Sequence, residues 1–296
     1  MSDHCDASSI LATASQRYPH VVSLRRSSMR ERVVVKWGGG LITEKHAMKT
    51  VRPDILESLA EQIDACLSAG TDVILVHGAG SFGHLKAKQY RLADGKLDGA
   101  VFEGELTQEQ AVEAVREDMM ELNAHVMGAL TKLDISAVSL PPHTWARNTG
   151  PTFEGDLALF EDAPRGIVVV TYGDVVNCDK QMFGILSGDD LVVRLANEIN
   201  GVKRLVFAMG GVDGVLAQPP KEGVTDVLIE TLGTEQLFEG EHATEMDVTG
   251  GIGLKVQRGF LVAQNEIEVL LVSGEHDQRV EDACLGRPVV GTRLVA

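Results

Sequence analysis

Short valine-rich segments that break off into glycines constrain this chain more than any other feature. Arg32-Val33-Val34-Val35-Lys36-Trp37 runs into Gly38-Gly39-Gly40, and Val73–His77 runs into Gly78-Ala79-Gly80-Ser81-Phe82-Gly83-His84. Ile167–Tyr172 ends at Gly173-Asp174, and Arg204–Met209 ends at Gly210-Gly211-Val212-Asp213-Gly214. A continuous apolar run of this length reads as a strand buried on both faces, as in parallel sheets. Segments of helical period lie between them. Pro53 opens one in which Ile55, Leu59, Ile63 and Leu67 recur four apart, and Gly70 stops it. Thr107 and Gln110 form a capping box for a second helix over 107–133, with Ala111, Val115, Leu122, Val126 and Leu130 inward. Residues 189–199 and 252–265 read as helices, Ile135–Leu140 and Ile267–Ser273 as strands, and Val289–Val295 as a last strand. Such alternation predicts an α/β fold with a mostly parallel sheet covered on both faces. Two lobes sharing one sheet fit better than two independent domains.

The charge balance removes several functions. Against 43 acidic residues stand 27 basic ones, a net charge of −16. That field repels nucleic acid and anionic membranes. No run of 18 apolar residues exists to span a bilayer. Cys5, Cys66, Cys178 and Cys284 have neither paired spacing nor a neighbouring His cluster, so no metal site is expected and a cytoplasmic location fits. Residues 1–28 lack periodicity and read as a dispensable extension or as sequence ahead of a start at Met29. A targeting peptide is the alternative, opposed by Asp3, Asp6 and the lack of an apolar region after a basic start.

In a parallel sheet, ligands bind at the carboxyl ends of the strands, where the glycine segments fall. Gly78–Gly83 formally matches the dinucleotide pattern G-x-G-x-x-G. Its context fails, because His84–Lys88 leads into polar, glycine-containing sequence around Asp94–Gly99 rather than through a helix to a strand ending in an acid. No P-loop motif occurs, and the protein-kinase catalytic-loop motifs are missing. A third glycine segment, Asp247-Val248-Thr249-Gly250-Gly251, opens the helix at 252. Glycines let backbone N–H groups converge on phosphate oxygens, and a helix N-terminus adds partial positive charge. Lys36 and Lys45 flank the first loop, and Lys255 follows the third by one turn. Lys36 stands out because it ends a run of valines, where a solvated face is implausible. Glycine loops and cations in so acidic a chain point to phosphoryl transfer from a nucleotide.

Lys36-Trp37-Gly38-Gly39-Gly40 followed by Thr43-Glu44-Lys45 resembles the opening motif of the amino acid kinase superfamily. Within it, His77–His84, Ile185-Leu186-Ser187-Gly188-Asp189-Asp190 and Asp247–Lys255 look most like the isopentenyl phosphate kinases, with His84 the discriminating residue. The resemblance spans residues 32–273. It implies an open αβα sandwich over residues 29–296, about 29–200 forming an acceptor-phosphate lobe and about 201–296 a nucleotide lobe. It also implies a homodimer that phosphorylates isopentenyl phosphate from ATP in isoprenoid biosynthesis, with Mg²⁺ held mainly by the nucleotide phosphates. By position, Lys36 and Lys45 would contact transferring and nucleotide phosphates, Asp189 would hold the lysines, and Lys255 would reach the ATP phosphates. ATP would also meet Gly38, Gly39, Gly40, Gly80, Gly211, Asp213, Gly250 and Gly251. The acceptor would meet Ala79, Gly83, His84, Gly173 and Asp174. The chain departs from the pattern at Gly40, at Tyr172 and at Gly210-Gly211, and none of these removes a phosphate ligand.

The chemistry agrees with this residue set. A phosphate monoester has a second pKa near 6 and is a ready nucleophile at neutral pH, so no carboxylate base is needed. The difficulty is charge. Two unit charges about 4 Å apart repel by roughly 4 kcal/mol at an effective dielectric of 20. Lysines, a histidine donor, backbone N–H groups and Mg²⁺ offset that repulsion. His77, His46, His125 and His143 read as structural hydrogen bonders, Asp190 and Asp213 as caps, and Met119, Met120 and Met127 as core rather than acceptor pocket. Competing expectations are a fosfomycin kinase-like or other small-acid kinase on the same site, and a non-catalytic nucleotide sensor.

Overall fold

The computed structural model describes residues 30–44, 47–217, 227–235 and 251–296. Its centre is an eight-stranded sheet. In chain order the strands are β1 (Arg32–Trp37), β2 (Asp72–His77), β3 (Ala137–Ser139), β4 (Ala146–Arg147), β5 (Glu154–Gly155), β6 (Val168–Tyr172), β7 (Asp174–Cys178), β8 (Met182–Leu186), β9 (Val202–Met209), β10 (Thr231–Gly233), β11 (Glu268–Ser273) and β12 (Thr292–Val295). The main sheet runs β10-β12-β11-β9-β1-β2-β6-β3, parallel throughout except for the antiparallel β11–β12 pair. It continues without a break across residue 200. The helices used below are α1 (Pro53–Ser68), α2 (Gly80–Gln89), α3 (Gln108–Lys132), α4 (Gly188–Glu198), α5 (Ile252–Ala263) and α6 (Arg279–Cys284).

Strand alternation assigns side chains to two cores. Val33, Val35 and Trp37 of β1 pack with Ile55, Leu59 and Ile63 of α1, whereas Val34 packs with Leu191 and Leu195 of α4 and Val256 and Phe260 of α5. Parity therefore sends Lys36 to the α4–α5 face. On β2 the same rule buries Val73 and Leu75 on one side and Ile74 and Val76 on the other, and sends His77 toward α3. The α3 capping box forms as expected, Thr107 Oγ1 accepting from Gln110 N at 3.2 Å.

β1 and β9 are parallel neighbours. The chain leaves β1 for α1 on one face, while α5, on the other face, leads into β11 beside β9. A crevice opens where neighbouring crossovers diverge in this way. Backbone bonds carry the ladder into the glycine segments, with Gly38 N donating to Ala208 O (2.9 Å), Gly78 N to Trp37 O (2.9 Å) and Gly173 N to His77 O (3.1 Å).

Two features depart from expectation. The 78–83 loop does open a helix, α2, but α2 leads through a turn at Leu92–Asp94 to α3 and not to a second strand, so the dinucleotide context still fails. A second sheet of order β5-β4-β7-β8 also stands beside the main one, and its β7–β8 hairpin continues directly from β6. Among the described residues no helix is long and apolar enough to cross a membrane.

Candidate active site

A cleft of about 800 Å³ lies at the carboxyl ends of β1, β2, β6 and β9. Its floor is Lys36, 4% exposed, whose Nζ donates to Asp189 Oδ1 at 2.6 Å. Asp189 lies in the first turn of α4. Its other oxygen accepts from Lys255 Nζ, 3.4 Å away on α5, and Lys255 also donates to Gly251 O at 3.0 Å. One carboxylate thus holds two lysines drawn from different elements. Burial alone would push Asp189 upward, but the two lysine charges and their hydrogen bonds outweigh it and keep the carboxyl below its ordinary range. Burial, reinforced by Lys36, pulls the Lys255 ammonium down to about 8.

The glycines permit two backbones to touch. A Cβ on Gly39 would overlap the backbone of Gly80, and one on Gly78 would stand 2.6 Å from Gly39 N. The loops after β1 and β2 are therefore in direct backbone contact, as side chains would forbid. Thr43 closes the junction, accepting from Ser81 N at 3.0 Å and donating to Gly39 O at 2.8 Å. The helices α2 and α5 begin at the cleft, and their N-cap residues, Ala79 and Gly251, offer no side-chain cap. Apart from Ser81 N, which Thr43 takes, N–H groups at these helix starts suit an anion.

His84, on α2, also lines the cleft and is exposed. Desolvation by the cleft walls, then the charges of Lys36 and Lys255, hold its pKa below the ordinary imidazole value, against a weaker opposing pull from Asp189. The apolar side chains of Ala87, Val115, Met119, Val175 and Ile185 line the same cleft, Ala87 standing three residues after His84 on α2.

Most residues singled out in the sequence meet here. Gly38, Gly39, Gly40, Ala79, Gly83, Gly173, Asp174, Gly211 and Gly251 line the cleft with Lys36, His84, Asp189 and Lys255. Gly80 lies behind the lining, against Gly39. Asp213 is not among the lining residues; it pairs with Arg279, and His276 Nε2 stands 3.5 Å away. Lys45, His46 and Gly250 lie outside the described residues, as do residues 1–28. Of the histidines expected to be structural hydrogen bonders, His77 and His143 are so, whereas His125 is exposed and makes an edge contact with Phe82 instead. His77 is fully buried between Gly78 O (3.1 Å) and Asn123 Oδ1 (3.3 Å), stacks on Tyr172, and is pushed down to about 4 by burial. His143 Nδ1 pairs with Asp174 Oδ2 at 2.7 Å. Met119 is both core and cleft wall, whereas Met120 is exposed and belongs to neither. Sequence reasoning missed Val175 and Ile185, which face the cleft from a hairpin whose turn, Asp179-Lys180, was the available signal.

A sequence model of the amino acid kinase family matches residues 31–273. The chain belongs to the amino acid kinase family. Among its relatives are isopentenyl phosphate kinases from Methanothermobacter thermautotrophicus, 31% identical over 88% of this chain and 98% of the relative, and from Thermoplasma acidophilum, 31% identical over 84% and 95%. A solved isopentenyl phosphate kinase structure superposes with a TM-score of 0.73 at 28% identity, covering 90% of this chain and all of that one. A UMP kinase from Ureaplasma parvum, 16% identical with a TM-score of 0.62, shares the fold. In this chain the lysine–aspartate–lysine floor is drawn from three different elements, β1, α4 and α5.

Proposed function

We propose that the chain transfers the γ-phosphoryl group of ATP to isopentenyl phosphate, making isopentenyl diphosphate for isoprenoid biosynthesis. One observation carries the reading: a floor of two lysines on one carboxylate, in one cleft with His84 and with the apolar side chains of Val115, Met119, Val175 and Ile185. The relatives named above support the choice of acceptor. Lys255 and Lys36 neutralise charge on the nucleotide and transferring phosphates, and uncapped N–H groups at Ala79–Gly80 and Gly251–Ile252 share it. His84, held neutral by its surroundings, donates one N–H to the acceptor phosphate and takes no proton in the reaction. The acceptor oxygen attacks in line, and the prenyl tail lies against Met119, Val115 and Ile185.

Mg²⁺ would supply charge neutralisation on the nucleotide phosphates. Among the described residues no cluster of His, Cys, Asp or Glu could hold a metal, and Asp189 and Asp174 are committed to Lys36 and His143. An ion carried by the phosphates themselves fits this donor set. Residues before about 200 would serve the acceptor and those after it the nucleotide, in a cytoplasmic homodimer.

Coupled ADP release with isopentenyl phosphate, fosfomycin and acetylglutamate in parallel tests the reading. Turnover is expected with isopentenyl phosphate. Turnover confined to either other acceptor, or none with any, refutes it.

A further inference from the structure

Two ion-pair rungs join α4 to α5 near the cleft, and further along Asn197 Nδ2 donates to Leu261 O at 3.2 Å. The first rung is Asp189–Lys255 at 3.4 Å, inside the cleft. The second is Asp190–Arg258 at 2.6 Å, formed by the next residue on α4 and the residue three further along α5. Residues three apart share a helix face, so both rungs lie on one side of α5.

The rungs differ in what they can be for. Asp190 and Arg258 do not line the cleft. Asp190 is 6% exposed, and its other oxygen accepts from Ser187 Oγ at 2.7 Å. Ser187 in turn accepts from Asp190 N at 3.0 Å and is the N-cap of α4. A continuous chain thus runs from the cleft wall at Ser187 through Asp190 to Arg258. Lys255 must turn from Asp189 toward phosphate for chemistry, so its own rung cannot hold the helix during the reaction. The Arg258 rung is untouched by that exchange.

We propose that Arg258, through Asp190, is a positioning residue that seats α5 so that Lys255 reaches the nucleotide phosphates. This rests on the assignment of Lys255 made in the preceding section. Misplacing a charge-stabilising group by about 1 Å costs up to roughly a hundredfold, so loss of the rung is felt through Lys255.

The test is a double-mutant cycle read on binding of a non-hydrolysable ATP analogue with Mg²⁺, by calorimetry. Arg258→Met is expected to weaken binding about tenfold in the wild type and less than twofold in a Lys255→Met background, because coupled residues are not additive. Arg258→Lys, which keeps a cation on an unforked stem, is expected to recover part of the loss. If Arg258→Met unfolds the chain, Arg258→Lys and Asp190→Asn run the same cycle. An equal loss in both backgrounds, or none in the wild type, overturns the proposal. Acceptor turnover is measured separately: a wild type that binds the analogue but phosphorylates no acceptor refutes the proposed function, while the binding cycle still decides the role of Arg258. A wild type that binds no nucleotide overturns both.

Discussion

Replacing Asp189 with Asn removes one charge and almost no volume, and its consequence is a pH shift of known sign. The carboxylate lies 2.6 Å from Lys36 Nζ and 3.4 Å from Lys255 Nζ. At 3.4 Å and an effective dielectric of 20, Coulomb attraction is roughly 5 kcal/mol. Water in the open cleft screens part of that. About 1.5–3 kcal/mol, the usual worth of a hydrogen bond to a charged group, corresponds to one to two pKa units. Lys255 already sits at about 8 because of burial and the Lys36 charge. Without Asp189 it falls to roughly 6–7.

The active form carries the proton, so activity falls as pH rises through the Lys255 pKa. At pH 7.5 about three quarters of Lys255 is charged in the wild type, and between a quarter and a thirtieth, roughly, in Asp189→Asn. The assay is the rate against pH with ATP and acceptor both held well below their KM values, which reports groups of the free enzyme. The wild-type alkaline limb is expected near pH 8, and the Asp189→Asn limb one to two units lower, so that acidification narrows the gap between them. His84 loses the same upward influence of Asp189 and moves in the same direction, and it does not mimic the alkaline limb. A limb that stays near 8, or rises, refutes the view that Asp189 keeps Lys255 charged.

Further outcomes follow from the same geometry. His84→Ala is expected to lose acceptor binding and turnover together, by roughly ten- to a hundredfold in kcat/KM, with ATP affinity nearly intact and His84→Gln partly recovered; loss of melting temperature at unchanged specific activity would instead make it a turn residue. Gly39→Ala drives a Cβ into the Gly80 backbone and should cost about 1–3 kcal/mol along with most activity, whereas Gly128→Ala, in α3 with nothing within 4 Å, should be neutral or stabilising. Denaturant titrations of both decide between them. His77, pushed down to about 4 in the fold, binds a proton only when unfolded between there and its ordinary 6.5; its contribution is present above 6.5 and lost on acidification, up to roughly 3 kcal/mol. His77→Asn should therefore lose less stability than the wild type between pH 7 and 4.5, and parallel acid dependences would sink the assignment.

How far the sequence discloses this molecule depends on whether the signal is local. β1, β2, β6, β9 and α1 were legible because a buried strand or an amphipathic helix writes its burial into its own residues. The helix α2 was not, since Gly80-Ser81-Phe82-Gly83 has poor intrinsic helicity and its turns are held by packing of Phe82 and Ala87 in the core with α3. The β7–β8 hairpin was hidden by Asp174 and Asn177 in β7, by Gly184 in β8 and by Met182, whose φ of 69° no propensity announces. At the site, Lys36 declared itself by ending an apolar run. The Asp190–Arg258 pair joins residues 68 apart, and His143–Asp174 joins residues 31 apart; neither spacing has any local signature.

The placement of a single carboxylate among cations explains how such a site can exist before substrate arrives. Two lysines buried together would shed a proton, because desolvation and mutual repulsion both favour the neutral amine. Asp189 prevents that at the cost of occupying both. Its hold is unequal. Lys36 is bound at 2.6 Å and lies 4% exposed on a central strand, whereas Lys255 reaches 3.4 Å from a helix lining the cleft mouth. An entering triphosphate carries several negative charges against one on Asp189, so it competes best for the looser partner. On the proposed roles, Lys36 would be the fixed reference of the site, and Lys255 the cation that transfers from carboxylate to phosphate as the nucleotide seats. On those roles, the asymmetry of the two distances predicts an order of events: nucleotide would first exchange Lys255 away from Asp189, leaving Asp189 to bind Lys36 alone and so strengthen the one cation that must remain in place while the phosphoryl group moves.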